Sequence, residues 1–157
     1  MEQILKEGLD YALFLGAEYA DARYSRLDTE SISVKNGHVQ GVDSHFDYGI
    51  GIRVLVDGSW GFASNPDIYD KNRMKKTVDR AVGLARAAAK VSSSRIQMVP
   101  KPVVRDSWKN DFVEDPFQIP LSEKLELLLS CSNKMSALDG VAISKGSMDF
   151  LREEKLY

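Results

Sequence analysis

Gly49-Ile50-Gly51-Ile52-Arg53-Val54-Leu55-Val56-Asp57-Gly58-Ser59-Trp60-Gly61-Phe62-Ala63-Ser64 is a β-hairpin spelled out in residues. Asp57-Gly58 is a two-residue turn signal, because both central positions of a type I′ turn need positive φ and alternating apolar residues flank the pair. Counting outward sets Val56 against Ser59, Leu55 against Trp60, Val54 against Gly61, Arg53 against Phe62 and Ile52 against Ala63. Residues of one parity then share a sheet face. One face carries Ile50, Ile52, Val54 and Val56 with small partners, as expected under a packed helix. The other carries Arg53, Trp60 and Phe62 beside the bare backbone of Gly49 and Gly51.

Upstream of the hairpin, Ile4, Leu5, Leu9, Ala12 and Leu13 recur at helical spacing and Gly16 follows as a C-cap, which predicts an opening helix of about three to four turns. A strand follows from about Tyr19 to Leu27. Ile32 and Val34 alternate with serines up to a second type I′ signal, Asn36-Gly37, and Val39 begins the return strand. Val42 and Phe46 fall out of phase with Val39, and a bulge at Gly41 restores the phase.

Downstream, Asn65-Pro66-Asp67 breaks the strand and Asp70 is a fair N-cap for a helix whose stripe is Met74, Val78, Ala81, Val82, Ala85, Ala88 and Ala89. Its alanines permit close approach to a sheet, and it should stop by Ser92. Pro100 and Pro102 frame a short strand, Val103 to Ser107. Asp106 to Pro116 reads as a polar loop anchored by buried Trp108 and Phe112 or Phe117. A third helix begins near Pro120, with the stripe Leu121, Leu125, Leu128, Cys131, Met135 and Leu138, and Asp139-Gly140 turns the chain into a strand from Val141. Cys131 on that stripe reads as a buried, inert thiol. Gly146 to Tyr157 has strand content but no closing turn or partner, so the chain reads as a fragment with Leu151, Leu156 and Tyr157 exposed. The expected fold class is α+β: a largely antiparallel sheet built from consecutive hairpins, with about three helices packed mainly on one face.

With 157 residues, 43% hydrophobic and 28% charged, the chain fits a single domain spanning 1–157, able to bury about two-thirds of its unfolded surface. One cysteine excludes an intramolecular disulfide. No basic N-terminal region precedes a long apolar run, and Tyr11 to Ala17 is too short to span a bilayer, so a cytoplasmic, membrane-free setting is expected. The net charge of −2 hides a segregation: Lys71 to Arg105 holds ten Lys and Arg against the single acid Asp79. A solvated helix face accounts for such a run; a surface for an acidic partner is the alternative. No nucleic-acid module signature is present, which sets nucleic acid aside as a partner.

Catalytic constellations fail in turn. His38 and His45 lie seven residues apart on an extended strand, roughly 20 Å at about 3.3 Å per residue, too far to share a metal. No helical histidine pair with an intervening Glu is present. Ser92-Ser93-Ser94 has no placed His and acid to complete a triad. Gly49-x-Gly51 lacks a third glycine and leads into a strand, where a phosphate loop needs a helix N-terminus. Neither catalytic nor metal-ligating residues are assigned.

The combination Gly49-x-Gly51-x-Arg53-Val54, Asp57-Gly58 and Gly61-Phe62-Ala63-Ser64, with the opening Gly16-Ala17-Glu18-Tyr19-Ala20-Asp21-Ala22-Arg23-Tyr24 and the Asn36-Gly37 turn, resembles the N-terminal domain of the TldD/PmbA family. Members resemble zinc metallopeptidases and were once called modulators of DNA gyrase. The resemblance covers the first half of the chain, through the helix after Ser64, and the rest only in its order of elements; the run around Trp60 is nearer the TldD branch. It implies a hydrolase of peptides whose zinc and His/Glu motif lie in a separate C-terminal domain, so that this chain alone is inactive. Its implied partners are its own C-terminal domain, a peptide or unfolded-protein substrate, and further subunits in a homo- or hetero-oligomer. On these terms Gly49, Gly51, Arg53, Trp60 and Phe62 form a substrate or domain interface. Arg53 can stack on the aromatic rings for about 0.5–2 kcal/mol, the glycines let another backbone approach, and a sheet edge can take a peptide as an extra strand. A second packing layer on the same face is the competing account, and a stand-alone module using 71–105 to bind an acidic partner is the competing function.

Overall fold

The computed structural model describes residues 1–67, 69–100 and 106–157. The order of elements is α1 (Glu2–Phe14), β1 (Tyr19–Lys35), β2 (His38–Val56), β3 (Ser59–Asn65), α2 (Lys71–Ala89), α3 (Leu121–Ser136) and β4 (Lys145–Leu156). The strands form one sheet in the order β3-β2-β1-β4, and the class is α+β. Two compact units result: Met1–Arg26 with Asp47–Val103 and Glu153–Tyr157, and Leu27–Phe46 with Val104–Arg152.

In the first unit the hairpin has the register counted from the sequence, from Val56↔Ser59 through Arg53↔Phe62 to Ile50↔Asn65. Asp57 and Gly58 hold φ of 51° and 70°, the signature of the type I′ turn. Ile50, Ile52, Val54 and Val56 are buried with Ala22, Ala63, Leu5 and Ala12 of α1, and Met74, Val78, Ala81, Val82 and Ala85 of α2. β3 lies close on α2 at Gly61, where a Cβ would run into the Ala81 carbonyl oxygen and sit 2.9 Å from the Ala85 Cβ. The alanine stripe makes that approach possible.

Both flanking helices end as their sequences indicate. α1 closes in a Schellman motif, with Ala17 N–H donating to the Ala12 carbonyl at 3.1 Å and Gly16 N–H to that of Leu13 at 2.9 Å. Asp70 caps α2, its carboxylate accepting from Asn72 N–H at 2.8 Å and Arg73 N–H at 3.2 Å. Leu13, placed on the buried stripe of α1 by spacing, is exposed; Gly8 takes that stripe instead, against the Met74 side chain.

In the second unit β1 continues to Lys35, past the expected end at Leu27. Asn36 and Gly37 hold φ of 49° and 74°, which pairs Lys35 with His38. Further along, a Cβ on Gly41 would sit 3.5 Å from Ser33 Oγ, an ordinary contact. Val39, Val42 and Phe46 are all exposed.

β4 runs antiparallel to β1: Ser144 meets Asn36, Asp149 meets Ser31 and Arg152 meets Asp28, one number falling as the other rises. The final segment thus has a strand partner, contrary to the sequence expectation, and it begins at Lys145 rather than Val141. Leu151 and Tyr157 are exposed as expected, while Leu156 is partly buried against the first unit's core.

α3 begins after Pro120 and buries only part of the stripe its apolar residues mark. Leu128 packs with Ile32 and Val34 and Leu125 is partly buried beside them, but Lys124 and Ser132 are buried too, while Leu121, Cys131, Met135 and Leu138 are exposed. The polar pair can turn inward because each finds partners. Lys124 Nζ bonds Glu30 at 2.6 Å over the Phe150 ring, and Ser132 Oγ accepts from Gly37 N–H at 3.0 Å and lies 2.7 Å from Ser144 Oγ. The aromatic anchors of the preceding loop also differ: Trp108 is 85% exposed and Phe112 is exposed, and Phe117 alone is half-buried, under Arg152. The expected strand Val103 to Ser107 lies, as far as residue 105, outside the described residues; Asp106 and Ser107 have no regular structure.

Candidate functional site

The outer face of the hairpin gathers four side chains from β1, β2 and β3. Asp21 on β1 accepts from Arg53 Nε at 2.8 Å and from its terminal nitrogen at 2.7 Å, both through Oδ2. The Arg53 guanidinium carbon lies 4.8 Å from the centre of the Trp60 ring, and Tyr19 meets that ring edge-on, 5.8 Å between centroids and 87° between planes. The Asp21 bond holds the Arg53 guanidinium still more firmly charged than usual. Arg53 remains half-exposed, so its stacking and ion pair are worth about 0.5–1 kcal/mol each at most.

Burial along this face is graded. Leu55, opposite Trp60, is sealed; Trp60 is half-buried; Arg53 and Phe62 are open, Phe62 to 58%. The end near the turn therefore packs as a core layer and the far end faces solvent.

The two glycines are not empty space. The Phe62 ring covers Gly51, with Cε2 2.9 Å from the Cβ position, and the carbonyl of Asn65 lies 3.3 Å from that of Gly49. The structure thus brings Gly51, Arg53, Trp60 and Phe62 together and sets Gly49 at the hairpin's end.

Two features of β3 bear on what this surface can bind. A two-residue turn closes on a hydrogen-bonded pair, so Ser59, Gly61, Ala63 and Asn65 spend their backbone groups on β2. The N–H and C=O groups of Trp60, Phe62 and Ser64 point to the outer edge, which no described strand occupies. Beside the far end, Ser64 and Asn65 line a shallow, open depression of about 200 Å³ with Arg73, Lys76, Thr77 and Arg80 of α2. Positions 73, 76, 77 and 80 give no apolar periodicity, so only the charge run of the sequence pointed to them.

Among the described residues no group of three or more His, Cys, Asp or Glu is placed to hold a metal ion, and no helix is long and apolar enough to cross a membrane. The residues in hand do not fit a zinc site, and no chemical step is assigned to them.

Residues 20–85 match the family model described as PmbA/TldA metallopeptidase domain 1. The chain is 36% identical over 124 residues to a metalloprotease of Methanothermobacter thermautotrophicus, covering 79% of this chain, and 24% identical over 119 residues to one of Methanocaldococcus jannaschii, covering 76%. It spans 26% of the length of each of these relatives. Its fold is similar to crystal structures of a proposed modulator of DNA gyrase from Bacteroides thetaiotaomicron, with a TM-score of 0.68 at 14% identity over 98% of this chain and 36% of that one, and of TldE from Thermococcus kodakarensis, with 0.54 at 16% over 99% and 34%.

Proposed function

We infer the role of this chain from its membership, through residues 20–85, of the PmbA/TldD metallopeptidase family, and propose that it is the non-catalytic first domain of a zinc-dependent peptidase of the cytoplasm. Its task is to hold an extended peptide or unfolded segment and to pack against the catalytic part of the protein and its partner subunits. Zinc and peptide-bond chemistry belong, on this reading, to a C-terminal domain.

The observation that carries it is the pairing of an edge strand, beyond which no described strand lies, with an aromatic and cationic strip. Backbone groups at Trp60, Phe62 and Ser64 offer sequence-tolerant hydrogen bonds, while Phe62, Trp60 and Arg53 offer contact to side chains on the outer face. That suits substrates of varied sequence. The basic run of α2 favours a second reading, a module that binds an acidic partner without any peptidase attached.

Titration of the purified chain with an unstructured peptide tests the first. Tryptophan emission should shift through Trp60 in a Trp108→Phe background, and elemental analysis after metal-free exchange should find less than stoichiometric zinc. No emission change with any peptide, or a full equivalent of zinc, overturns the reading.

A further inference from the structure

α2 packs on β3 at Gly61, and its basic residues flank the far end of that strand at Ser64 and Asn65. Arg73, Lys76 and Arg80 lie at i, i+3 and i+7, with Thr77 between them, and all four line the depression at Ser64 and Asn65. Their charge is only partly answered. Arg73 is tied to Asp67 at 3.3 Å and Asp70 at 3.7 Å, whereas Lys76 and Arg80 form no ion pair among the described residues. Thr77 is occupied, its hydroxyl donating to the Arg73 carbonyl at 2.8 Å.

A strand added at this edge presents alternate side chains to the two faces of the sheet. One set continues the face of Trp60 and Phe62. The other points to the α2 side, toward the basic stripe. Lys76 and Arg80 are separated by about 6 Å along the helix at 1.5 Å per residue, close to the roughly 6.7 Å between alternate residues of a strand. Two carboxylates at positions i and i+2 of a bound strand would therefore each meet one uncompensated cation.

We propose that the β3 edge selects acidic extended segments, with Asp or Glu at alternate positions facing Lys76 and Arg80. This rests on the peptide-binding reading above and adds to it a substrate class. The backbone edge does not discriminate charge, and Arg53 on the aromatic face is already paired with Asp21; Lys76 and Arg80 supply that discrimination.

The test uses a short blocked peptide alternating Thr and Glu, its Thr and Gln counterpart, and the Thr and Glu peptide N-methylated on alternate amides in each of the two phases. Each carries a fluorophore, and anisotropy is read on the purified chain. The Glu peptide should bind about tenfold more tightly than the Gln peptide at low salt, as two partly exposed charge pairs supply, and the preference should fade at about 0.5 M salt. Lys76→Gln with Arg80→Gln, both at exposed positions, should level the affinities of the two peptides. One N-methylated phase should lose binding and the other keep it, because a strand uses one set of amides toward its neighbour. Equal affinity for Glu and Gln peptides overturns the acidic preference and leaves the peptide reading standing. Retention of full binding by both N-methylated phases overturns strand addition and leaves charge attraction alone. If none of the peptides binds, the peptide-binding reading falls, and this inference with it.

Discussion

The ring of Phe62 lies over Gly51, its Cε2 and Cζ 2.9 and 3.1 Å from where a Cβ would stand. The two are diagonal, since Phe62 is registered with Arg53 and Gly51 with Ser64. The aromatic fills the place of the missing side chain and restores cover to a strand that glycine would leave bare. Because that ring is exposed and free to swing, Gly51→Ala should change stability by less than about 1 kcal/mol, with the Phe62 ring resonances displaced. Gly61 faces backbone instead, so Gly61→Ala should cost about 2–3 kcal/mol or more by forcing β3 off α2. Urea melts of the two variants give the comparison; equal losses would mean that the close approach at Ala81 and Ala85 is misplaced.

Gly58→Val puts a β-branched side chain at φ of 70° and against Arg95, whose Cβ lies 2.7 Å from the new Cβ position. The expected loss is about 1–3 kcal/mol from backbone strain alone. A thermal melt at the wild-type temperature would contradict the turn.

Much of the first unit could be read in advance because its signals are local: a turn with positive φ at Asp57-Gly58, a cap at Asp70, and one apolar parity from Ile50 to Val56; the Asn36-Gly37 turn of the second unit was legible for the same reason. The site residues were legible as one face but not as a graded one. That Phe62 covers Gly51 depends on a ring torsion no spacing encodes. α3 was misread for a specific reason: apolar periodicity assigns polar residues to solvent, and Lys124 and Ser132 face inward to Glu30 and Ser144, reached across 94 and 12 positions. The partner of β4 was equally distant in sequence, and the basic stripe beside β3 carried charge without hydrophobic period.

Arg53 and Trp60 should separate when truncated. Arg53→Ala should leave the stability of this chain within about 1 kcal/mol, since its ion pair and ring contact are half-exposed, while weakening its affinity for an extended peptide. Trp60→Ala should cost about 1–2 kcal/mol, short of the roughly 3–5 of a fully enclosed aromatic. Urea melts with iodide quenching in a Trp108→Phe background decide the matter. A Trp60 closed to quencher with a loss in the higher range makes this face a core layer.

The contact between α1 and α2 should weaken in acid. The hydrogen bond from Lys71 Nζ, at 2.8 Å, holds the Glu7 carboxyl below the ordinary carboxylate range. A group depressed in this way stabilises the fold above its unfolded pKa, and the contribution is lost as pH falls through the folded value. NMR titration of the Glu7 side-chain carboxyl should give a midpoint below that of free Glu, returning upward in Lys71→Met. An unchanged midpoint in that variant would show the pair to be idle.

Asp28 and Glu30 on β1 find their partners Arg152 and Lys124 only 124 and 94 positions later. During synthesis β1 and β2 can close their turn long before those cations emerge, and until then the inward row of β1 lacks the charges that Lys124 and Arg152 bring to it. Charges aimed inward on an unfinished edge deter stray strands from pairing there. They also make the final step selective, because docking without Lys124 would leave the Glu30 carboxylate enclosed without its cation. The long loop closure makes this step slow. Docking of α3 and β4 is thus checked twice, by Lys124 on the helix and by Arg152 on the strand, each against its own carboxylate on β1.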